Sequence, residues 1–375
     1  MVRFKLLPLF FLSLLSFSTC SKPSNEILVG EFGSMTGSTA TFGLSTHNGI
    51  LLAAQEFNAS GGLNGKKINI ISEDDRGLPE EAKTAVLKLI KQSKVVAILG
   101  EVASSRSLAA APEAQRSAIP MISPASTNPA VTQVGNYIFR ACFIDSFQGA
   151  AMAKFAANKL NLKNVAVLQD VKNDYSIGLA DFFEKTFKSL GGNIAGIESY
   201  SEGDIEFRAQ ITSLLRSNPD GIFIPGYYTD VGLIARQARE LGFKGPLMGG
   251  DGWDSAQTLE IGGAAMEGTY YSNHYSADDP APEVQNFISK FKAKYNQVPD
   301  AMAVLGFDAA TMLFDAFKRA GTVDGEKVRE ALAGTINLKG VSGNITIDSN
   351  RNAVKRLVIL KIENGKVSFA DAVEP

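Results

Sequence analysis

Hydroxyl side chains gather in one short stretch, Val95 to Pro129, at positions suited to holding an anion. Val95–Leu99 is an unbroken β-branched and apolar run that reads as a buried strand ended by Gly100, and Ser104-Ser105 then opens a helical pattern through Arg116. Ala118–Ser123 repeats the arrangement, a short apolar strand followed by the small polar tip Pro124-Ala125-Ser126-Thr127-Asn128. Both tips lie beyond the carboxyl ends of strands, where open α/β sheets bind ligands. Hydroxyls and the free N–H groups of a helix start suit a carboxylate-sized anion. The same residue types also cap helices and form turns, so on spacing alone Ser104 and Thr127 fit either role.

Other chemistries find less support. The glycines after the first strand, Gly30, Gly33 and Gly37, do not have the Gly-x-Gly-x-x-Gly spacing of a dinucleotide site. Gly62–Lys67 lacks the spacer and the Ser/Thr of a phosphate loop, and it precedes a strand rather than a helix. No Gly-x-Ser-x-Gly elbow is present. His47 and His274, the only histidines, are far apart in sequence and form no metal motif with Cys142. The expectation is a binding protein rather than an enzyme, with no metal and no cofactor.

The elements that must position these residues alternate. Strand patterns at Ile27–Phe32, Lys67–Asp74, Val95–Leu99 and Ala118–Ser123 are separated by helical ones, the first from about Leu44 to Ala59 and the second with Pro79 and Glu80-Glu81 in its first turn. After Tyr137–Arg140 the series begins again. Strands at Asn164–Gln169, Ile194–Tyr200, Gly221–Pro225, Pro246–Gly249 and Gly268–Ser272 alternate with helices at Asp145–Lys159, Tyr175–Leu190, Phe207–Ser217 and Asp230–Leu241. Such alternation is the signature of parallel α/β sheets. Three successive helical patterns then run from Pro282 to Ala333, and short strands close the chain around the hairpin turn Glu363-Asn364-Gly365-Lys366.

At 375 residues, 45% hydrophobic and 20% charged, the chain is long enough for two domains of ordinary size. No Pro/Ser linker divides the two series, which argues for two lobes joined by crossing strands. A net charge of −2 gives no reason to expect nucleic acid as a partner. At the amino terminus, Arg3 and Lys5 precede the apolar run Leu6–Phe17, too short to span a bilayer, and Ser18-Thr19-Cys20 follows. Residues 1–19 are therefore expected to be a lipoprotein-type signal peptide with Cys20 lipidated, ordinary secretion being the alternative. Cys142 is then left without a disulfide partner, as a core thiol.

With these junctions laid out, the chain resembles the type I periplasmic binding proteins, specifically the branched-chain amino acid (leucine/isoleucine/valine) binding family of ABC importers. The residues that carry the resemblance include Gly33-Ser34-Met35-Thr36-Gly37, Glu56-Phe57-Asn58-Ala59-Ser60-Gly61-Gly62, Ile122-Ser123-Pro124-Ala125-Ser126-Thr127, Tyr175-Ser176-Ile177-Gly178 and Gly249-Gly250-Asp251-Gly252. The resemblance implies an α/β fold of two lobes, each a mainly parallel sheet flanked by helices, with a three-crossing hinge. One lobe would hold residues 26–144 plus 274–350 and the other 145–273 plus 351–375. It also implies a small-molecule amino acid ligand, bound by lobe closure and delivered to an ABC permease in the inner membrane from the periplasm or cell envelope.

Matched by position, Ser104 and Thr127 correspond to donors to the ligand α-carboxylate, beside the backbone of Ala125. Asp251 corresponds to the acidic partner of the α-ammonium, with Gly252 supplying backbone nearby. Tyr227 falls on a contact from the second lobe, Tyr175 and Phe42 on walls of the side-chain pocket, and Trp253 stands next to the acidic contact. An amide or another small polar ligand on the same fold is the alternative.

Overall fold

The computed structural model describes residues 1–2 and 25–375. The apolar run of the expected signal peptide and the Cys20 anchor lie outside the described residues. The first series builds β1 (Glu26–Gly33), β2 (Lys67–Asp74), β3 (Ile98–Leu99), β4 (Met121–Ser123) and β5 (Ile138–Arg140). These form one sheet in the order β2-β1-β3-β4-β5, every pair parallel. The second series supplies β6 (Asn164–Asp170), β7 (Asn193–Tyr200), β8 (Gly221–Phe223), β9 (Leu247–Gly249) and β10 (Thr269–Asn273). Three short strands, β11 (Leu338–Gly340), β12 (Gly343–Ile347) and β13 (Ala353–Val354), make a small antiparallel sheet. The closing hairpin of β14 (Leu357–Glu363) and β15 (Lys366–Val373) joins the second series, in the order β15-β14-β10-β9-β8-β6-β7. Its turn residues Asn364 and Gly365 have φ of 54° and 67°, the left-handed pair that a two-residue hairpin with native twist requires.

The chain thus forms two sheets and passes between them three times: after Arg140, after Asn273 and before Leu357. Two expected strands are shorter than the apolar runs that announced them. The run at Val95–Leu99 becomes regular strand only at Ile98–Leu99, after a wide helical turn at Leu89–Ser93 and a left-handed Lys94 (φ 56°), although the Val96 N–H already donates to the Leu28 carbonyl (2.9 Å) and the Ala97 carbonyl accepts the Gly30 N–H (2.9 Å). The run from Ala118 pairs from Met121 onward, Ala118 itself being left-handed at φ 52°. The first helix begins earlier than its apolar spacing indicated, at Ala40, which puts Phe42 in its first turn.

The helix Ala301–Ala320 returns to the first sheet and packs on Ala40–Ala59 with little between the two backbones. A Cβ on Gly49 would lie 2.0 Å from the Ala303 carbonyl oxygen, and one on Gly306 would lie 2.4 Å from that of Thr46. Around this contact Phe57, Phe314 and Phe317 build a core with Ile122 and Phe139 of the first sheet. A second core of Ile222, Ile224, Trp253 and Tyr271 lies on the other sheet. A third apolar cluster contains residues of both parts, Phe42, Ala125 and Met302 on one side and Tyr175, Tyr227 and Phe183 on the other. Hydrogen bonds accompany it across the cleft: Thr229 Oγ1 donates to the Ser38 carbonyl (2.7 Å), Asn128 Nδ2 to the Asp174 carbonyl (2.7 Å), and the Ala301 N–H to Asp254 Oδ2 (2.6 Å).

Because the obstacle at Gly49 is backbone rather than a movable side chain, Gly49→Val is expected to destabilise the protein by about 3 kcal/mol or more. Urea unfolding followed by circular dichroism measures this; a loss under about 1 kcal/mol would show that the helix pair yields.

Candidate functional site

The donor side of the cleft is a loop clamped from beneath. Ser126 donates to the Glu101 carbonyl (2.9 Å), Ser123 Oγ donates to the same oxygen (2.7 Å), and the Ser126 N–H returns to Ser123 Oγ (2.8 Å). Arg140, fully buried, places one guanidinium nitrogen on the Ser126 carbonyl and the other 2.8 Å from that of Asn128. Thr127 is thereby held between two anchored neighbours. Ser104 is the first residue of the helix Ser104–Arg116 and accepts the Asn128 N–H at 3.2 Å, which leaves its hydroxyl proton free to donate. The Thr127 hydroxyl is buried with no hydrogen-bond partner. Hydroxyls, helix-start N–H groups and the buried Arg140 cation together make an anion-favouring end.

The opposite side comes from starts of second-lobe helices. Asn173 caps the helix Asp174–Ser189 by accepting the Tyr175 N–H (3.0 Å), which sets Tyr175 in the first turn. Tyr227 immediately precedes the helix Tyr228–Glu240, and its ring stacks on Tyr175 at 5.4 Å between centroids. Phe42 meets Tyr227 edge-on at 5.5 Å from the first lobe. The Gly252 N–H donates to the Tyr175 hydroxyl (3.2 Å), and the Asp251 N–H donates to Gln148 Oε1 (3.0 Å). Asp251 is buried; its Oδ2 lies 2.9 Å from His274 Nε2, and its Oδ1 has no partner.

Phe42, Ser104, Ala125, Thr127, Tyr175, Tyr227, Asp251 and Gly252 all line one small cavity between the lobes. Trp253 is not with them, a correction to the expected site. It follows Asp251 and Gly252 in a tight turn that reverses its direction, so its indole donates to the Ile224 carbonyl (2.9 Å) and stacks near Tyr271 inside the second-lobe core. Val102 and Met302 complete the cavity wall and were not anticipated. Neither carries a sequence signal beyond being apolar beside a turn or helix start. His274, which holds Asp251, enters the sequence reading only as one of two histidines too far apart to form a metal motif.

The periplasmic binding protein family model matches residues 26–366. This chain belongs to that family. It is 31% identical, over 90% of both chains, to the leucine-, isoleucine-, valine-, threonine-, and alanine-binding protein of Pseudomonas aeruginosa. Its fold superposes on the crystal structure of a leucine binding protein LivK from Thermotoga maritima with a TM-score of 0.90, at 42% identity over 93% of this chain and 99% of that one. It is also similar to a solute binding protein of an ABC transporter from Rhodopseudomonas palustris in complex with 3,4-dihydroxy benzoic acid (TM-score 0.85, 27% identity, covering 93% and 98%). The two lobes are those of a type I periplasmic binding protein, and solute binding is the role the family performs.

Around the cavity this binding protein buries several carboxyl groups. Burial, with the neighbouring Asp251 charge, pushes Asp145 up to about 8. Glu101 rises to about 8 through burial and the adjacent Asp75, although Ser34 and Arg106 bear on it. Asp230 rises to about 8 through burial and the charge of Glu202. Arg106, itself buried, donates to Ser34 (2.9 Å) and Thr39 (2.7 Å) in the first lobe and crosses the cleft rim to Glu202 at 3.0 Å.

The sign of the resulting pH dependence follows from linkage. Carboxyls ionise near 4 in an unfolded chain, so between about pH 4 and pH 8 the native state holds protons that the unfolded state has lost, and stability falls as pH rises. Lys355, whose pKa burial lowers, opposes this between its lowered pKa and the ordinary lysine value. The ligand-free protein is expected to melt several degrees lower at about pH 8.5 than at about pH 6.5. Scanning calorimetry at the two values tests this; an equal or higher melting temperature at the alkaline value would contradict it.

Proposed function

We propose that this protein captures a neutral L-amino acid of branched-chain size by lobe closure and delivers it to an ABC permease in the inner membrane, working in the periplasm or cell envelope with Cys20 as its lipid anchor. The observation that carries the reading is a pair of buried polar atoms with no partner in one cavity, Thr127 Oγ1 on the donor side and Asp251 Oδ1 on the acidic side. A buried polar atom left unpaired costs about 1–3 kcal/mol. A zwitterion would satisfy both ends: its carboxylate would receive the hydroxyls of Ser104 and Thr127, and its ammonium would donate to Asp251. Since the two ends belong to different lobes, full pairing requires closure.

The walls between the polar ends support an apolar side chain. Phe42, Val102 and Met302 line the cavity together with the stacked rings of Tyr175 and Tyr227. The Pseudomonas relative is named for leucine, isoleucine, valine, threonine and alanine. A second reading, a small polar ligand without an ammonium, is favoured by the dihydroxybenzoic acid bound to the Rhodopseudomonas relative. Asp251 separates the two, because an anionic ligand lacking the ammonium would face an uncompensated carboxylate.

A thermal-shift screen of the proteinogenic amino acids, simple amides and 3,4-dihydroxybenzoate should show stabilisation by leucine, isoleucine or valine and little by the others. No response to any amino acid would end the reading. Leaving a buried ammonium unpaired costs roughly 2–5 kcal/mol, so Asp251→Ala should weaken amino acid binding at least about thirtyfold in titration calorimetry. An unchanged dissociation constant would remove Asp251 from the site.

A further inference from the structure

We infer that His274 is a positioning residue for solute recognition: its neutral imidazole orients Asp251, presenting one carboxylate oxygen to a cationic group while leaving the full negative charge in place. The inference rests on the amino acid reading of the cavity and extends it to a residue outside the cavity wall.

Two contacts place the ring. His274 follows β10 at the second passage between the sheets, and its Nε2 lies 2.9 Å from Asp251 Oδ2. Its face stacks on Phe143, which lies in the first passage, with centroids 3.8 Å apart and planes 20° off parallel. The side chain is completely buried, and its other nitrogen, Nδ1, has no partner. A carboxylate oxygen only accepts, so Nε2 carries a proton and donates it. Burial opposes a second proton on the ring and lowers its pKa.

The choice of donor has a chemical consequence. A lysine or arginine at this place would cancel the Asp251 charge and compete with an incoming ammonium. A neutral N–H restricts rotation of the carboxylate, occupies Oδ2, and leaves Oδ1 as the unpaired atom at the cavity. The Asp251 N–H bond to Gln148 and the Gln148 bond to Asp145 fix the backbone beneath it at 3.0 Å each. Because the ring rests on one interlobe passage and is attached to the other, the orientation of Asp251 is tied to the hinge as well as to its own turn.

A double-mutant cycle tests this in the full chain. His274→Phe keeps an aromatic ring for stacking but has no donor, whereas His274→Gln keeps an N–H near the Nε2 position. Calorimetric or competition titration with leucine, or with whichever amino acid stabilises the wild type most, should show about tenfold weaker binding for His274→Phe and less than about threefold for His274→Gln. In an Asp251→Ala background, the further effect of His274→Phe should shrink below about twofold, since its target is gone. Equal losses in both backgrounds would make His274 a structural residue only and overturn the inference, as would no loss in the first. Thermal unfolding of each variant verifies folding, and His274→Met replaces the Phe variant if that one fails to fold. Failure of the wild type to bind any amino acid would instead count against the proposed function, so the two failures are distinct.

Discussion

Asp251 keeps one carboxylate oxygen on His274 and leaves the other buried without a partner, an arrangement that is unfavourable until something in the cleft supplies a donor. The rest of the molecule can be understood as making that state tolerable and selective. The turn holding Asp251 is pinned through its backbone by Gln148, which is oriented in turn by Asp145 and Ser272. Tyr175, stacked on Tyr227, supports Gly252 from the cavity side. Each support is neutral or remote, so none of them satisfies the oxygen that remains free.

The donor side solves the complementary problem with a buried cation placed where it cannot meet the acid directly. Arg140 spends its guanidinium on carbonyls of the loop that carries Ala125 and Thr127. Burial lowers its pKa, while Cys142 and Asp145 raise it. Its positive potential therefore reaches the cavity through a rigid loop rather than through a flexible side chain. A lysine there would offer a similar charge without the fork that grips two carbonyls at once.

Much of this was legible in the chain. The βα alternation announces both sheets, Pro79 and the acidic pair beside it mark a helix start, and Asn364-Gly365 forms the turn its residue types demand. Strand ends were less legible, because an apolar run records burial and not pairing: Val95 is buried although the strand begins at Ile98. The hydroxyl loop was visible from composition, but its purpose came from the family resemblance. Trp253 misled because adjacency in sequence was read as adjacency in space, whereas a tight turn sends neighbouring side chains opposite ways. His274 and Met302 reach the site from the second passage and from the returning helix. Those placements are long-range and leave no local pattern to read.

The Arg106–Glu202 pair at the cleft rim adds a kinetic dimension. It lies apart from the small cavity, yet it joins the two lobes, so part of the free energy of closure is independent of what the cavity contains. Affinity and residence time then become separable properties: the cavity decides which solute is held, and the rim bears on how long. Any process that removes the solute must first pull a guanidinium away from a carboxylate, a step whose rate depends on ionic strength rather than on the identity of the cargo.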